Sequence, residues 1–328
     1  MADPRTASEN DAVYCSIKTL LQLRRHGNDI QLHRTKRTNS QIDGSIRTRF
    51  RGRGMEFSEV RPYTPGDDIR TIDWRVTART QVTHTKLFQE ERERPVFVVL
   101  DQRSPMFFGT QTVFKSVFGA CLAASIAWSA LSNNDRVGAI ILGDTDVKDI
   151  RPKRGKHALL NVLHFIHTFN HKLTTPIHNV TTGVSGITLQ QQLDDLARVA
   201  KPGSAIYIVS DFFDINHMDP ASATAFTQTL TKLSRHCDVN LIHPYDTFEA
   251  QLPDNKNLTF SNGKQRVQIN THTKTVNTFH AHFKQKQHVL NALAKKSGAF
   301  FSSVDISLGL ESALKTLFVL NSTSRRSR

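Results

Sequence analysis

Apolar residues come in short, broken groups up to about residue 93, and beyond it they alternate between continuous runs and helical spacings. In the first part, Asp11 to His26 reads as one helix, because Val13, Ile17, Leu20 and Leu21 fall on a single face. Residues 38–54 are rich in Thr, Asn, Ser, Gly and Arg, and Arg47, Arg49, Arg51 and Arg53 alternate as in a loop or a charged extended edge. Next, Phe57, Val60 and Tyr63 stand before the turn Pro65-Gly66-Asp67-Asp68, with Ile69, Ile72, Trp74 and Val76 after it. These groups predict small strands or turns that fold against a larger body.

From Pro95 the pattern alternates β and α. Val96 to Leu100 is a continuous apolar run closing on Asp101, as expected of a buried central strand whose acidic residue emerges at the carboxyl end. A helix over Val113 to Leu131, a strand over Val137 to Leu142, a turn at Gly143 to Asp146 and a short strand over Val147 to Ile150 follow. Leu159, Leu163, Phe165 and Ile166 mark a helix, Thr174 to Ser185 a loop, and Leu189, Leu193 and Leu196 a helix over residues 188–199. Ala205 to Val209 reads as a strand ending Ser210-Asp211; helices over 221–235 and 280–296, a strand over 238–243 and a last strand near Phe300 complete the series. Such alternation predicts a Rossmann-like α/β fold, a mainly parallel central sheet with helices on both faces. The expected organisation is a basic, partly helical region over residues 1–44, a small β-rich module over 45–92 packed on the main domain, an α/β domain over 93–323, and a basic tail over 324–328.

Composition supports a folded chain: 38% hydrophobic and 22% charged residues with twenty Phe exclude wholesale disorder. Three widely spaced cysteines, Cys15, Cys121 and Cys237, read as buried thiols in a reducing compartment, without zinc-ligand spacing. The first ten residues hold no apolar segment of signal-peptide type, so a cytoplasmic protein is expected. Val113 to Leu131 is long enough to cross a bilayer but sits between two strands, where it reads as a helix covering a sheet. The formal charge of +14 raises nucleic acid as a partner, since ten Lys or Arg lie between Lys18 and Arg53 against Asp29 and Asp43. That span has no regularly interleaved aromatics and no DNA- or RNA-binding motif, so it equally suits an acidic protein.

In a parallel sheet ligands belong at the carboxyl ends of strands, which places Asp101 and Asp211 at one rim. They could hold a divalent metal or a cationic group between them, or could cap helices and loop amides. Charged residues also crowd the segment before the α/β domain, where Glu56, Arg61, Asp67, Asp68, Arg70, Asp73, Arg75 and Arg79 stand among Tyr63 and Trp74. They predict a mutually paired network with Asp73-Trp74 as a packed anchor. No nucleophile with an oriented base appears, His84, His157 and His164 have no supporting context, and no glycine-rich phosphate loop is present.

The run RGRGMEFSEVRPYTPGDDIRTIDWRVTAR, followed by HTKLFQEERERPVFVVLDQRSPMFFGT, resembles the bacterial domain-of-unknown-function family number 58, whose C-terminal half looks like a von Willebrand factor A domain. The matching motif includes Arg53, Gly54, Glu56, Arg61, Tyr63, Gly66, Asp67, Asp68, Arg70, Asp73, Trp74 and Arg79. The resemblance implies that Asp101 is the first acidic residue of a metal-ion-dependent adhesion site and that Asp211 is the later one. The chain departs from the Asp-x-Ser-x-Ser pattern, however, reading Asp101-Gln102-Arg103-Ser104-Pro105. Arg103 offers no acceptor and Pro105 no hydroxyl, which leaves a degenerate site, with weak magnesium binding at most and no cofactor expected. Arg103 is expected to neutralise Asp101 or Asp211, while Ser104, or one of Thr174, Thr175, Thr181, Thr182 and Thr188, could supply a remaining ligand. The resemblance further implies a non-enzymatic interaction module, a companion of a MoxR-type AAA+ ATPase in the assembly or activation of client proteins, peripheral at the inner membrane through a partner if membrane-associated at all. A nucleic-acid-associated protein and a metal-dependent hydrolase are the alternatives.

Overall fold

The structure is a computed structural model, described for residues 9–32, 55–90, 93–173, 187–253, 256–261, 266–271 and 273–320. The described residues fall in two compact units: one combines the N-terminal segment with everything from Arg94 onward, and the other lies between Thr38 and Glu93. In chain order the first segment holds α1 (Glu9–Val13), α2 (Ile17–Gln22), α3 (Arg24–Asp29) and β1 (Ile30–Gln31). The second unit holds β2 (Met55–Pro62), α4 (Trp74–Thr80) and β3 (His84–Glu90). Then come β4 (Pro95–Asp101), α5 (Lys115–Ser132), β5 (Arg136–Leu142), β6 (Val147–Lys153), α6 (Lys156–Lys172), α7 (Leu189–Val199), β7 (Ala205–Val209), α8 (Pro220–Ser234) and β8 (Asp238–Tyr245). The chain continues through α9 (Thr247–Ala250), β9 (Asn257–Ser261), β10 (Arg266–Asn270), α10 (Thr273–Ser297), β11 (Phe300–Asp305), α11 (Gly309–Leu317) and β12 (Val319–Leu320).

Six strands form the central sheet in the order β11-β8-β7-β4-β5-β6, parallel throughout except for β6, which pairs antiparallel with β5 at the edge. Its inner strands β7, β4 and β5 are continuous apolar runs because both faces are covered, and successive side chains feed two separate cores. Val96, Val98 and Leu100 point into one, with Tyr207, α5 and α6. Phe97 and Val99 point into the other, with Ile206, Ile208, α7, α8 and Leu290 of α10. This is the α/β architecture that the alternating pattern predicts.

Helix α5 is long and apolar enough by composition to cross a membrane, yet 83% of it is buried inside the protein. A helix buried all round needs cover on its outer side as well, and the N-terminal segment supplies it. Trp128 donates its indole N–H to the carbonyl of Leu20 (3.0 Å), Ser129 donates to that of Ile30 (2.9 Å), and Tyr207 of β7 donates its hydroxyl to that of Leu32 (3.0 Å). Gly27 lies so close that a Cβ there would stand 2.3 Å from the Trp128 Cβ, and β1 pairs antiparallel with β12. The segment that composition sets apart as a basic region is therefore, over its described part, integral to the main unit. The single helix expected over Asp11 to His26 is three short ones; Ser16 makes the first break by accepting from the Thr19 amide (3.1 Å) as the cap of α2, and the second falls at Leu23 with no side-chain cap. Burial pushes the Cys15 thiol well above its ordinary range, in keeping with an inert thiol.

In the second unit β2 and β3 pair antiparallel, with an irregularity between Phe57 and Glu59. The segment after the turn, expected as small strands or turns, forms a 3-10 turn at Ile69–Thr71 and then the helix α4, which the pattern does not predict. Asp73 starts that helix by accepting from the amides of Arg75 (3.0 Å) and Val76 (3.2 Å).

Candidate functional site

Chain geometry brings Asp101 and Asp211 to the same end of adjacent strands, since Leu100 of β4 is paired with Val209 of β7. Each carboxylate has its own cations. Arg103 grips Asp101 in a fork, Nε to Oδ1 at 2.9 Å and Nη2 to Oδ2 at 2.7 Å, and its backbone amide adds a third bond to Oδ1 at 3.1 Å. Ser210 donates its hydroxyl to Asp101 Oδ2 at 2.6 Å. The remaining corner of the guanidinium, Nη1, reaches both oxygens of Asp214 at 3.0 and 2.8 Å. Burial disfavours the charged guanidinium, but Asp101 and Asp214 more than offset this and hold it firmly protonated. Of the two partners expected for Arg103, Asp101 is the one it takes; its second carboxylate is Asp214, in the 3-10 turn Phe213–His217, rather than Asp211.

Asp211 meets a different set. Its Oδ1 lies 2.8 Å from Lys286 Nζ, 3.4 Å from Lys115 Nζ and 3.2 Å from His243 Nε2. Lys115, at the start of α5, is 0% exposed and also donates to Glu249 Oε1 at 2.7 Å. Glu249 is fixed in turn by the capping box of α9, accepting from the Asp246 amide at 2.9 Å. Burial alone would raise the Asp211 carboxyl, but Lys115, His243 and Lys286 hold it below the usual carboxylate range. Lys115 remains charged despite burial because Asp211 and Glu249 raise it. Burial pushes His243 down to about 4, with the neighbouring lysines adding to the effect, so the ring is neutral near pH 7. An ionised acceptor at Asp211 assigns the proton to Nε2, which leaves Nδ1 to accept from Gln287 Nε2 at 3.1 Å. Phe212, next to Asp211, holds a left-handed backbone (φ 53°) while fully buried, and its amide is anchored by the Ser210 hydroxyl at 2.8 Å.

These side chains do not fit the octahedral oxygen cage that magnesium requires. Both oxygens of Asp101 are taken, and two ammonium groups and an imidazole N–H face Asp211. Ser104, expected as a rescuing ligand, donates its hydroxyl to Asp144 Oδ2 at 2.5 Å and its amide to Oδ1 at 2.9 Å. Thr188 spends its oxygen as the cap of α7, accepting from the Gln191 amide at 3.2 Å, and the other four threonines lie outside the described residues. Among the described residues no group of three or more His, Cys, Asp or Glu side chains is placed to hold a metal ion.

In the second unit the acidic residues of the motif serve the backbone. Asp67 accepts from Arg61 (2.8 Å) and the Thr64 amide (3.0 Å), Asp68 caps the 3-10 turn through the Arg70 amide (3.0 Å), and Asp73 caps α4 with Lys86 3.5 Å away. Trp74 is 66% exposed and is not the packed anchor expected, since at the first position of a capped helix its side chain turns outward with Arg75 and Arg79. Tyr63 donates to the Asp67 carbonyl at 3.4 Å, and Gly66 takes a positive φ of 105° in the turn. Arg70 is exposed; the Glu56 side chain, Gly54, Arg47, Arg49, Arg51 and Arg53 lie outside the described residues.

A mostly parallel sheet with an antiparallel edge, helices on both faces and acidic residues at the carboxyl ends of adjacent central strands define a Rossmann-like α/β protein, here with its acidic rim filled by the protein's own cations. The family described as "Protein of unknown function DUF58" matches residues 59–289, and the chain belongs to it. It is 31% identical over 204 residues to the uncharacterized protein Rv1480 of Mycobacterium tuberculosis (strain ATCC 25618 / H37Rv), covering 62% of this chain and 59% of that one, with the same figures for Mb1516 of Mycobacterium bovis. The chain thus spans less than two thirds of the length of these relatives. A shorter stretch of 86 residues, 26% of this chain and 20% of the relative, is 31% identical to YeaD of Bacillus subtilis (strain 168). Among solved structures it is similar to the von Willebrand factor type A protein from Catenulispora acidiphila, with a TM-score of 0.39 and 9% identity over 71% of this chain and 43% of that one.

Proposed function

We propose that the chain is a non-enzymatic protein-interaction module whose docking surface is the rim at the carboxyl ends of β4, β7 and β11. The observation that carries this reading is Arg103, which occupies with a fork of hydrogen bonds the carboxylate that a metal-dependent domain of this class would offer to its ion. A rim neutralised from within is ordered before any partner arrives, so docking requires no ion and little rearrangement. Two apolar side chains on the same side of the sheet stay exposed as contact points, Phe213 just beyond β7 and Leu308 just beyond β11. The partner proposed is a MoxR-type AAA+ ATPase, which would hydrolyse the ATP while this chain bridges it to a client protein in the cytoplasm or at the inner face of the membrane.

Calorimetric titration of the purified ATPase into the full chain tests this. Saturable binding that survives chelation of divalent metals and is lost in the double variant Phe213→Asp, Leu308→Asp is the expected result. Binding unchanged by that variant, or dependent on added magnesium, contradicts it.

A further inference from the structure

Helix α10 presents a face that the rim does not use. Residues 255–304 contain no Asp or Glu but eight Lys or Arg, where an average stretch of that length would carry about six acidic residues. Lys284, His288, Asn291 and Lys295 are all exposed and follow one another at helical spacing, forming a single stripe about 16 Å long. Lys286, on the opposite side of the helix, pairs with Asp211 and takes no part in the stripe. Helix α8, packed beside α10, also has no acidic residue and ends near exposed Lys232 and Arg235. The two helix ends meet, since a Cβ on Gly298 would lie 3.8 Å from that of Ser234, and exposed Lys232, Arg235, Lys295 and Lys296 all stand within three residues of that contact along the chain. Cations at helix C-termini also suit the helix dipole, but Lys284 stands in mid-helix, where the dipole does not account for it.

We infer that this carboxylate-free face of α10 and the end of α8 binds the phosphate backbone of duplex nucleic acid without sequence preference. Lysine is depleted at the cores of protein interfaces, which favour Trp, Tyr and Arg, so the stripe is a poor protein hot spot. Its cations and amides are suited to phosphate and sugar oxygens. A single strand would call for a series of Phe, Tyr or Trp platforms, and the stripe has no such residue. The inference does not depend on the docking reading of the rim.

The test is fluorescence anisotropy of a labelled duplex of arbitrary sequence with the full chain, between about 50 and 200 mM salt. The variant is Lys284→Gln, Lys295→Gln, Lys296→Gln, with unfolding midpoints measured to confirm that the exposed changes leave the fold intact. The expected result is binding by the unmodified chain and, in the variant, a log–log salt slope shallower by about 2.7 with at least tenfold weaker binding at the lower salt. A parallel variant, Arg47, Arg49, Arg51 and Arg53 to Gln, distinguishes the N-terminal arginines. Absence of duplex binding overturns the inference, as does an unchanged slope in the α10 variant or equally strong competition by polyglutamate, which would assign the face to an acidic protein.

Discussion

Replacing Lys115 with Met removes an ammonium that is fully buried and shared between Asp211 and Glu249, at 3.4 and 2.7 Å. Breaking a buried ion pair by deleting one partner costs about 3–5 kcal/mol, because the other charge remains without water. Asp211 keeps Lys286 at 2.8 Å, and Glu249 is partly exposed and keeps its bond from the Asp246 amide, so the loss belongs at the lower end, about 3 kcal/mol. For a unit of this size that corresponds to a fall in Tm of roughly 6–12 °C. Urea unfolding of Lys115→Met, Asp211→Asn and the double variant measures the coupling directly. Asp211→Asn removes the charge that Lys115 compensates, so the double variant should lose less than the sum of the singles, by about 1–3 kcal/mol. A single-variant cost below about 1 kcal/mol, or strict additivity, would refute the claim that Lys115 neutralises the rim.

Acid should weaken the main unit in two stages. His243 titrates at about 4 in the folded protein against 6.5 ordinarily, so its contribution is complete above pH 6.5 and is lost as the pH falls towards 4, because the unfolded chain takes up a proton that the folded one refuses. The loss amounts to about 3 kcal/mol at most, and His243→Gln should flatten that limb of a plot of urea midpoint against pH. Asp211, depressed in the folded state, contributes stability that is present above its ordinary value of 3.8 and lost as the pH falls below it, so the decline should continue there. In the second unit, Asp73→Ala should destabilise α4 through loss of its cap, read as faster hydrogen exchange in α4 with no change in the core amides of β4.

Strands β4, β5 and β7 are legible because each is a continuous apolar run: Val96 to Leu100 reads as a strand, and Pro95–Asp101 is one. Helix α10 reads as starting at residue 280 but starts at Thr273, because its first seven residues are mostly Thr, Lys and Asn, with Val276 and Phe279 the two apolar positions among them. The first break in the N-terminal helix depends on one serine hydroxyl, and the exposure of Trp74 on a cap, neither of which periodicity registers. At the rim, the Arg103–Asp101 pair is readable because the two stand two residues apart on one strand end. Lys286, His243 and Glu249 reach Asp211 or Lys115 from distant elements, so no spacing announces them. Lys115 does leave a trace, as a charge at the head of a helix otherwise apolar enough to cross a membrane.

The central claim is that this rim is closed by its own cations rather than by a metal, and calorimetric titration with magnesium and manganese tests it most directly. The account predicts no tight binding by the unmodified chain and a measurable gain in Arg103→Ser, which frees both oxygens of Asp101 and adds a hydroxyl. Tight, saturable magnesium binding by the unmodified chain, abolished by Asp101→Ala, would contradict it.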